Sequence, residues 1–223
     1  MNFYDLLQSE TTRQREALLS APMIAKAQAG EITLDEYGAF LGQAYHHVKH
    51  TVPLLMATGA RLPESHEWLR LAIAEYIEEE AGHQEWILND IAACGFDPDA
   101  VRRGAPHLTT ELMVSYAWDT IQRVNPMGFF GMVHVLEGTS VQVATTAADR
   151  IRDALSLPRT AFSYLYSHGS LDLAHVKFFA SLMNRIEHAC DQAQIIHSAR
   201  AFYKLYRDIF LALDDGSPDE VAG

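Results

Sequence analysis

Apolar residues recur along most of this chain at steps of three and four, which is the period of an amphipathic α-helix. No alternating apolar and polar stretch of useful length predicts a β-strand. The pattern instead predicts seven helical elements, at residues 3–20, 34–58, 65–93, 109–124, 127–156, 159–194 and 196–213. Pro53 inside the second element, or Gly169–Ser170 inside the sixth, would divide one of them. The prediction is therefore an all-α bundle of seven or eight helices.

The predicted helices follow one another without a linker. The 13 Gly and 8 Pro are scattered, and no repeat or low-complexity run separates the chain into halves. We therefore expect a single helical domain over residues 1–213. The closing segment DDGSPDEVAG, residues 214–223, is polar and is expected to form a disordered tail.

Charge and cysteine content narrow the class of protein. With 17 Lys and Arg against 29 Asp and Glu, the net charge is −12, which argues against nucleic acid or an anionic membrane as the main partner. Two cysteines, Cys94 and Cys190, cannot build a disulfide framework. The start NFYDLLQSETTRQRE is too polar for a signal peptide, and no apolar run approaches the ~20 residues of a membrane span. We expect a cytoplasmic protein.

Carboxylates and imidazoles occur at helical spacing in two of these elements. In EYIEEEAGHQEW, residues 75–86, Glu80 lies three residues before His83, and Glu79 lies four before it. The alternative interpretation of this segment is a solvated acidic face. Glu137 lies in FFGMVHVLEGTSVQVA, which is apolar nearly all round and is typical of a buried helix. A buried carboxylate needs a partner, and this partner is either a metal ion or a neighbour such as His134.

A third group lies in SHGSLDLAHVKFF, residues 167–179. His168, Asp172 and His175 are spaced by four and three residues, so they share one stripe of a continuous helix. Together the three segments offer three carboxylates and three imidazoles. Carboxylate and imidazole ligands suit iron or manganese, whereas thiolate-rich sites favour zinc or clusters. The pattern therefore indicates a site for two divalent cations inside the bundle.

The ordered motifs E-E-x-x-H, an isolated Glu, and H-x-x-x-D-x-x-H resemble those of the heme-oxygenase-like diiron oxidases, a family with the fold of heme oxygenase and the TenA thiamin-salvage proteins. The resemblance covers most of the chain and implies a heme-oxygenase/TenA-like bundle. It also implies a set of metal ligands, with Glu79 as an alternative to the first of them. These ligands are Glu80, His83, Glu137, His168, Asp172 and His175.

The same resemblance implies an O₂-dependent non-heme oxidoreductase. Its cofactor would be two loosely held Fe²⁺ ions, with Mn²⁺ as an alternative. Its substrates would be O₂ and a small organic molecule, either amino-acid-like or a fatty acid. An external electron donor and a homodimeric assembly are compatible with the family and are not specified by the sequence.

The segment AYHHVKHTVPLLM, residues 44–56, is a candidate for the substrate pocket because a proline kink opens space inside a bundle. We expect Tyr45, His47 and His50 to contribute to this pocket. A substrate carboxylate would need a cation, for which Lys49 and Arg61 are candidates.

Three other functions remain open at this stage. A TenA-type aminopyrimidine hydrolase would need a cysteine nucleophile, for which the candidates are Cys94 and Cys190. A heme oxygenase would need a histidine in the first helix, but the first histidine of the chain is His46. In a non-catalytic helical binding protein, the polar groups would form a hydrogen-bonded network instead of a metal site.

Overall fold

The computed structural model describes residues 1–214, except the side chains of residues 168–174. The predicted tail therefore lies outside the described residues apart from Asp214. The described chain contains no β-strand and forms twelve α-helices. These are α1 Phe3–Glu10, α2 Thr12–Leu19, α3 Pro22–Ala29, α4 Leu34–Val48, α5 Thr51–Arg61, α6 Glu67–Glu80, α7 His83–Ala93, α8 Pro98–Arg103, α9 Leu108–Asp119, α10 Phe129–Leu155, α11 Ser163–Met183 and α12 Ala189–Asp214.

The all-α class is confirmed, but the helices are more numerous than the predicted seven or eight because several elements are divided. The first divides at Thr11, whose hydroxyl donates to the Leu7 carbonyl at 2.7 Å. The second divides at Lys49–His50, so that Pro53 falls in the first turn of α5, where the missing N–H is tolerated. The third divides at Gly82, which has φ +94°. Each break is a local backbone event that periodicity does not reveal.

Helix α10 forms the centre of the bundle and packs against α11, α12 and α3. Its first half is almost entirely buried, as its apolar sequence predicts. A Cβ atom at Gly131 would lie 2.5 Å from the backbone nitrogen of Ala199, so only glycine lets α10 and α12 approach so closely. This central helix carries Glu137 into the interior.

The ends of the bundle are fixed by caps and ion pairs. Thr33 and Glu36 form a capping box at the start of α4, where the sequence predicts a cap. Lys26 on α3 donates to Glu36 at 3.1 Å and to Asp214, the last residue of α12, at 2.5 Å. These contacts hold α3 over one end of the bundle. None of the helices in the described chain combines the length and the apolar character that crossing a membrane requires.

Candidate metal centre and cavity

The Glu80–His83 pair forms across a helix break. Glu80 ends α6 and His83 begins α7, with Gly82 in the left-handed conformation between them. Glu80 Oε2 lies 3.0 Å from His83 Nδ1, and only 3 % of His83 is exposed. The sequence predicts that the two residues share a helical face. In the structure, a tight turn at Gly82 separates α6 from α7 and still leaves the two side chains in contact.

Glu79 makes a separate contact with α11. Its Oε2 lies 3.3 Å from His175 Nε2, and the exposed fractions of the two side chains are 39 % and 14 % respectively. Glu80 is less exposed, at 16 %. The two neighbouring carboxylates therefore contact different imidazoles. Glu80 contacts His83 inside the bundle, and Glu79 contacts His175 nearer the surface. The choice between Glu80 and Glu79 as the metal ligand stays a prediction.

Tyr76 links these pairs to Glu137. Its phenol is buried, with 3 % exposed, and its ring lies 6.4 Å from that of His175. Burial raises the pKa of Tyr76 above its ordinary value, and the negative charges of Glu137, Glu79 and Glu80 raise it further. The phenol therefore stays protonated. Tyr76 is not among the predicted site residues, although its spacing of three and four residues from Glu79 and Glu80 places all three on one face of α6.

The predicted ligands His168 and Asp172 have side chains outside the described residues, so their role stays a prediction. Among the side chains that are described, no group of three or more His, Cys, Asp or Glu is gathered tightly enough to hold a metal ion. The described part of the predicted site thus consists of two carboxylate–imidazole pairs with Glu137 near Tyr76.

The alternative partner for Glu137, His134, makes its contacts elsewhere. His134 Nε2 lies 3.3 Å from the hydroxyl of Thr11, and its ring stacks on Phe179. Burial lowers the pKa of His134 to about 4, with a smaller contribution from Arg15, so this imidazole is neutral at physiological pH. His134 belongs to the packing between α10, α11 and the first two helices.

A cavity of about 150 Å³, counted as the space open to the centres of water molecules, lies beside this cluster. His47, Tyr76, Glu80 and Glu137 line one part of it, and the remaining wall is mostly apolar. One face of α10 lines the cavity from Phe129 to Ile151, a rise of about 33 Å. The opposite wall includes apolar residues from α3, α4, α5 and α12. These are Met23, Ile24, Ala27, Phe40, Val48, Leu55 and Phe210.

The predicted pocket residues divide between the cavity wall and its surroundings. His47 lines the cavity, whereas Tyr45 and His50 do not. The Lys49 ammonium lies 3.2 Å from His46 Nδ1, and Arg61 is exposed. The described lining residues include no Lys or Arg. The carboxylates Glu80 and Glu137 therefore face a cavity without a cationic side chain in its described wall.

Neither cysteine belongs to this cavity. Cys94 is buried near the end of α7, and burial raises its pKa to about 11, with a further contribution from Asp90. A thiol with so high a pKa is a poor nucleophile at neutral pH. Cys190 is exposed, in the first turn of α12.

Solved structures with the heme-oxygenase-like fold match nearly the whole chain, so the protein has this fold. One is a domain of unknown function from Shewanella denitrificans, with 21% identity, a TM-score of 0.84 and coverage of 97% of this chain and 93% of that one. A TenA homologue from Pseudomonas syringae has 11% identity, a TM-score of 0.80 and coverage of 96% and 93%. Heme oxygenase-1 from the cyanobacterium Synechocystis, in complex with heme, has 12% identity, a TM-score of 0.75 and coverage of 97% and 94%.

The family follows from the sequence match. Residues 38–207 match the family described as iron-containing redox enzyme, and the protein belongs to this family. No curated protein matches the sequence. The matched range contains every predicted metal ligand and the residues of the cavity from Phe40 to Tyr206.

Gly82→Ala tests whether the turn between α6 and α7 serves the site. Nothing lies within 4 Å of a Cβ atom placed at Gly82, so the substitution acts through backbone strain at φ +94°. We expect a loss of about 1 kcal/mol of unfolding free energy. We also expect weaker binding of Fe²⁺, because Glu80 and His83 move relative to each other; anaerobic calorimetry measures the affinity.

Gly95→Ala is the matched control, because Gly95 has φ +88° and is equally free of neighbours. Gly95 follows the C-terminal end of α7, whereas His83 is the first residue of that helix. This variant should lose similar stability and keep the wild-type affinity for Fe²⁺. Equal affinities in the two variants would show that the turn has no role in metal binding.

Proposed function

We propose that this protein is an O₂-dependent non-heme diiron oxidase that oxidises an organic substrate held in the apolar cavity. The observation that carries the proposal is the position of the carboxylate–imidazole cluster, which meets the cavity at Glu80 and Glu137. An oxidant generated at these residues would face a bound apolar molecule directly. The membership in a family of iron-containing redox enzymes agrees with this function.

The described residues fit a pair of iron ions by their chemistry. Carboxylate oxygens and imidazole nitrogens are ligands that suit Fe²⁺ or Mn²⁺. Glu80 and Glu137 share a mostly apolar cavity whose described wall contains no Lys or Arg, and such carboxylates are stabilised by a nearby cation. The residues that would hold the metal are His83, His175 and these two carboxylates, with Glu79 beside them. The sequence adds the predicted ligands His168 and Asp172.

The protein would position the metal ions and the substrate, exclude water from the reacting atoms and supply one hydrogen-bond donor. When bound, the two Fe²⁺ ions would supply two of the four electrons that reduce O₂, and the substrate would supply the other two and so be oxidised. The apolar wall keeps water from the reacting atoms. Tyr76 remains a neutral phenol among Glu137, Glu79 and Glu80, so its hydroxyl is available to donate a hydrogen bond to a carboxylate. Any further electrons would come from an external donor.

The cavity favours the fatty acid over the amino-acid-like substrate. The cavity-lining face of α10 continues from Glu137 to Ile151, about 21 Å along the helix. It is apolar except for Thr139 and Ser140, whose hydroxyls donate to backbone carbonyls of the same helix. Such a wall binds an alkyl chain through burial of apolar surface. The ammonium and carboxylate groups of an amino acid would need polar partners along this wall. A fatty acid presents one charged group, whose carboxylate would need the bound metal cations as its partner, because the polar part of the wall carries the carboxylates Glu80 and Glu137.

The competing functions are less well supported. A TenA-type hydrolase lacks a suitable nucleophile, since neither Cys94 nor Cys190 reaches the cavity. A heme oxygenase would need a histidine in the first helices, and α1 to α3 contain none. A non-catalytic binding protein does not agree with the family of redox enzymes.

His175→Ala tests the metal site. We expect Fe²⁺ affinity to fall at least tenfold, roughly the effect of disturbing a metal site's supporting shell, while the circular dichroism spectrum stays that of a folded helical protein. The measurement is an anaerobic titration with Fe²⁺, followed by O₂ uptake in an oxygen electrode. Wild-type stoichiometry in this variant would contradict the assignment.

His66→Ala is the control for this experiment. His66 Nε2 lies 3.4 Å from Asp191 Oδ2, and both side chains are about as buried as His175. This third imidazole–carboxylate pair lies outside the cavity wall. Its loss should leave iron binding unchanged.

Ala147→Leu tests the substrate class. Ala147 lines the cavity ten residues beyond Glu137, about 15 Å along α10. The larger side chain should impair turnover of hexadecanoate roughly tenfold and leave that of the shorter octanoate unchanged. Mass spectrometry of products from iron-loaded protein in air measures both. If the variant turns over each acid as fast as the wild type does, this orientation of the alkyl chain in the cavity is ruled out.

Cys94→Ala with Cys190→Ala separates the oxidase from the hydrolase. The double variant should retain O₂ uptake with the accepted fatty acid, because neither sulfur lies in the cavity wall. Neither the wild type nor the variant should release the hydrolysis product from an aminopyrimidine substrate. Hydrolysis by the wild type that the double variant loses would favour the TenA-type function.

A further inference from the structure

Asp90 joins α7 to the start of α11 by accepting three hydrogen bonds. The residue is fully buried. Its Oδ1 accepts from the backbone N–H of Ser163 at 2.9 Å and, through a short contact, from the Ser163 hydroxyl. Its Oδ2 accepts from the N–H of Tyr164 at 2.9 Å. All three donors belong to the first turn of one helix, and the acceptor belongs to another.

This carboxylate replaces a local helix cap. The first N–H groups of a helix have no partner within the helix, and a capping side chain usually satisfies one or two of them. The residue before α11, Phe162, has no side chain that can do so. Asp90 therefore satisfies these groups from α7, and its negative charge is favourable at the positive end of the α11 dipole. Burial raises the pKa of Asp90, and the three donors counteract that shift.

The two helices joined by Asp90 both carry predicted metal ligands. His83 lies seven residues before Asp90 on α7, and His175 lies twelve residues after Ser163 on α11. A second contact, between Glu79 and His175, lies near the middle of α11, which runs from Ser163 to Met183. Tyr164, whose N–H is bonded to Asp90, and the next residue Leu165 both line the cavity. The helix turn that Asp90 holds is therefore part of the cavity wall.

Directional bonds define the register of α11 in a way that apolar packing does not. A slip of α11 by one residue would move His175 about 1.5 Å along the helix axis and rotate it by ~100°. The same slip would remove the Ser163 and Tyr164 donors from Asp90. The native register is therefore the one in which the imidazole of His175 reaches Glu79.

We propose that Asp90 is a positioning residue that sets the register of α11 against α7 and thereby the mutual placement of His83 and His175. This inference rests on the proposed function, because it assigns Asp90 a role in that metal site. Asp90 itself touches neither substrate nor metal. It acts through the helix it holds.

Asp90→Asn tests the proposal with little change of volume. Asparagine keeps one acceptor oxygen but presents an NH₂ group to one of the two backbone donors. We expect a folded protein whose affinity for Co²⁺, used as a spectroscopic substitute for Fe²⁺, falls roughly tenfold. We also expect a changed visible absorption spectrum of bound Co²⁺, since the ligand geometry differs. Loss of stability alone would not alter that spectrum.

Gln43→Ala is the matched control. Gln43 Oε1 accepts from the N–H of His107 at 2.9 Å and from the Thr110 hydroxyl at 2.7 Å, so it caps the start of α9 from α4. Helix α9 carries no predicted ligand. This variant should lose stability and keep the wild-type Co²⁺ affinity and spectrum. Ser163→Ala, which removes one of the three donors, should change the spectrum in the same direction as Asp90→Asn by a smaller amount.

The outcomes separate this inference from the proposed function. Wild-type protein that binds Co²⁺, together with an Asp90→Asn variant of unchanged affinity and spectrum, overturns the role of Asp90 alone. Equal losses of affinity in Asp90→Asn and Gln43→Ala also overturn it, because the effect would then be global. Wild-type protein that binds neither Co²⁺ nor Fe²⁺ overturns the proposed function and this inference together. If Asp90→Asn does not fold, Ser163→Ala decides by the same spectrum.

Discussion

The structure depends on how carboxylates are accommodated inside a helical bundle. Glu80 and Glu137 face one cavity whose described wall contains no Lys or Arg. Like charges in an environment of low dielectric raise each other's free energy unless a proton, a donor or a cation intervenes. The imidazoles of His83 and His175 lie beside Glu80 and Glu79, and the phenol of Tyr76 lies close to these carboxylates and to Glu137. A pair of divalent cations would supply the remaining positive charge, which is why the cluster supports an iron site.

Two irregular features of the helices lie in the segments that carry this cluster. Gly82 turns the chain between the two members of the Glu80–His83 pair, and Asp90 caps a helix that cannot cap itself. Strained or costly local features often persist where the surrounding structure requires a defined geometry. The cavity-lining face of α10 is formed by a regular helix without such an irregular feature. The regular helix therefore builds the cavity, and the irregular segments orient the polar groups.

The sequence predicted the fold class and the proximity of Glu80 to His83 for physical reasons. A 3.6-residue period is a property of every buried helical face, so it identified the all-α bundle directly. It did not reveal the division at Gly82, because one left-handed residue leaves the period on either side intact. The Glu80–His83 contact was predicted from helical spacing and is formed by a turn instead. The roles of Glu80, His83, Glu137, His168, Asp172 and His175 as metal ligands stay predictions, as does the metal itself.

Other features depend on tertiary packing and could not be predicted from one chain segment. The cavity wall takes Met23 and Ile24 from α3 and Phe210 from α12, which are distant in sequence. In the sequence, Asp90 is one acidic residue of a helix among others, and only the tertiary structure brings Ser163, which lies 73 residues later, next to it. Tyr76 could have been found, because its spacing from Glu79 and Glu80 matches one helical face.

Anomalous X-ray diffraction at the iron absorption edge, from crystals grown anaerobically with Fe²⁺, tests the central claim most directly. The account predicts two iron peaks close together beside Glu80 and Glu137, at the polar part of the cavity and within ligand distance of His83 and His175. Iron bound elsewhere on the protein, or a cavity that stays free of iron at saturating Fe²⁺, would contradict it.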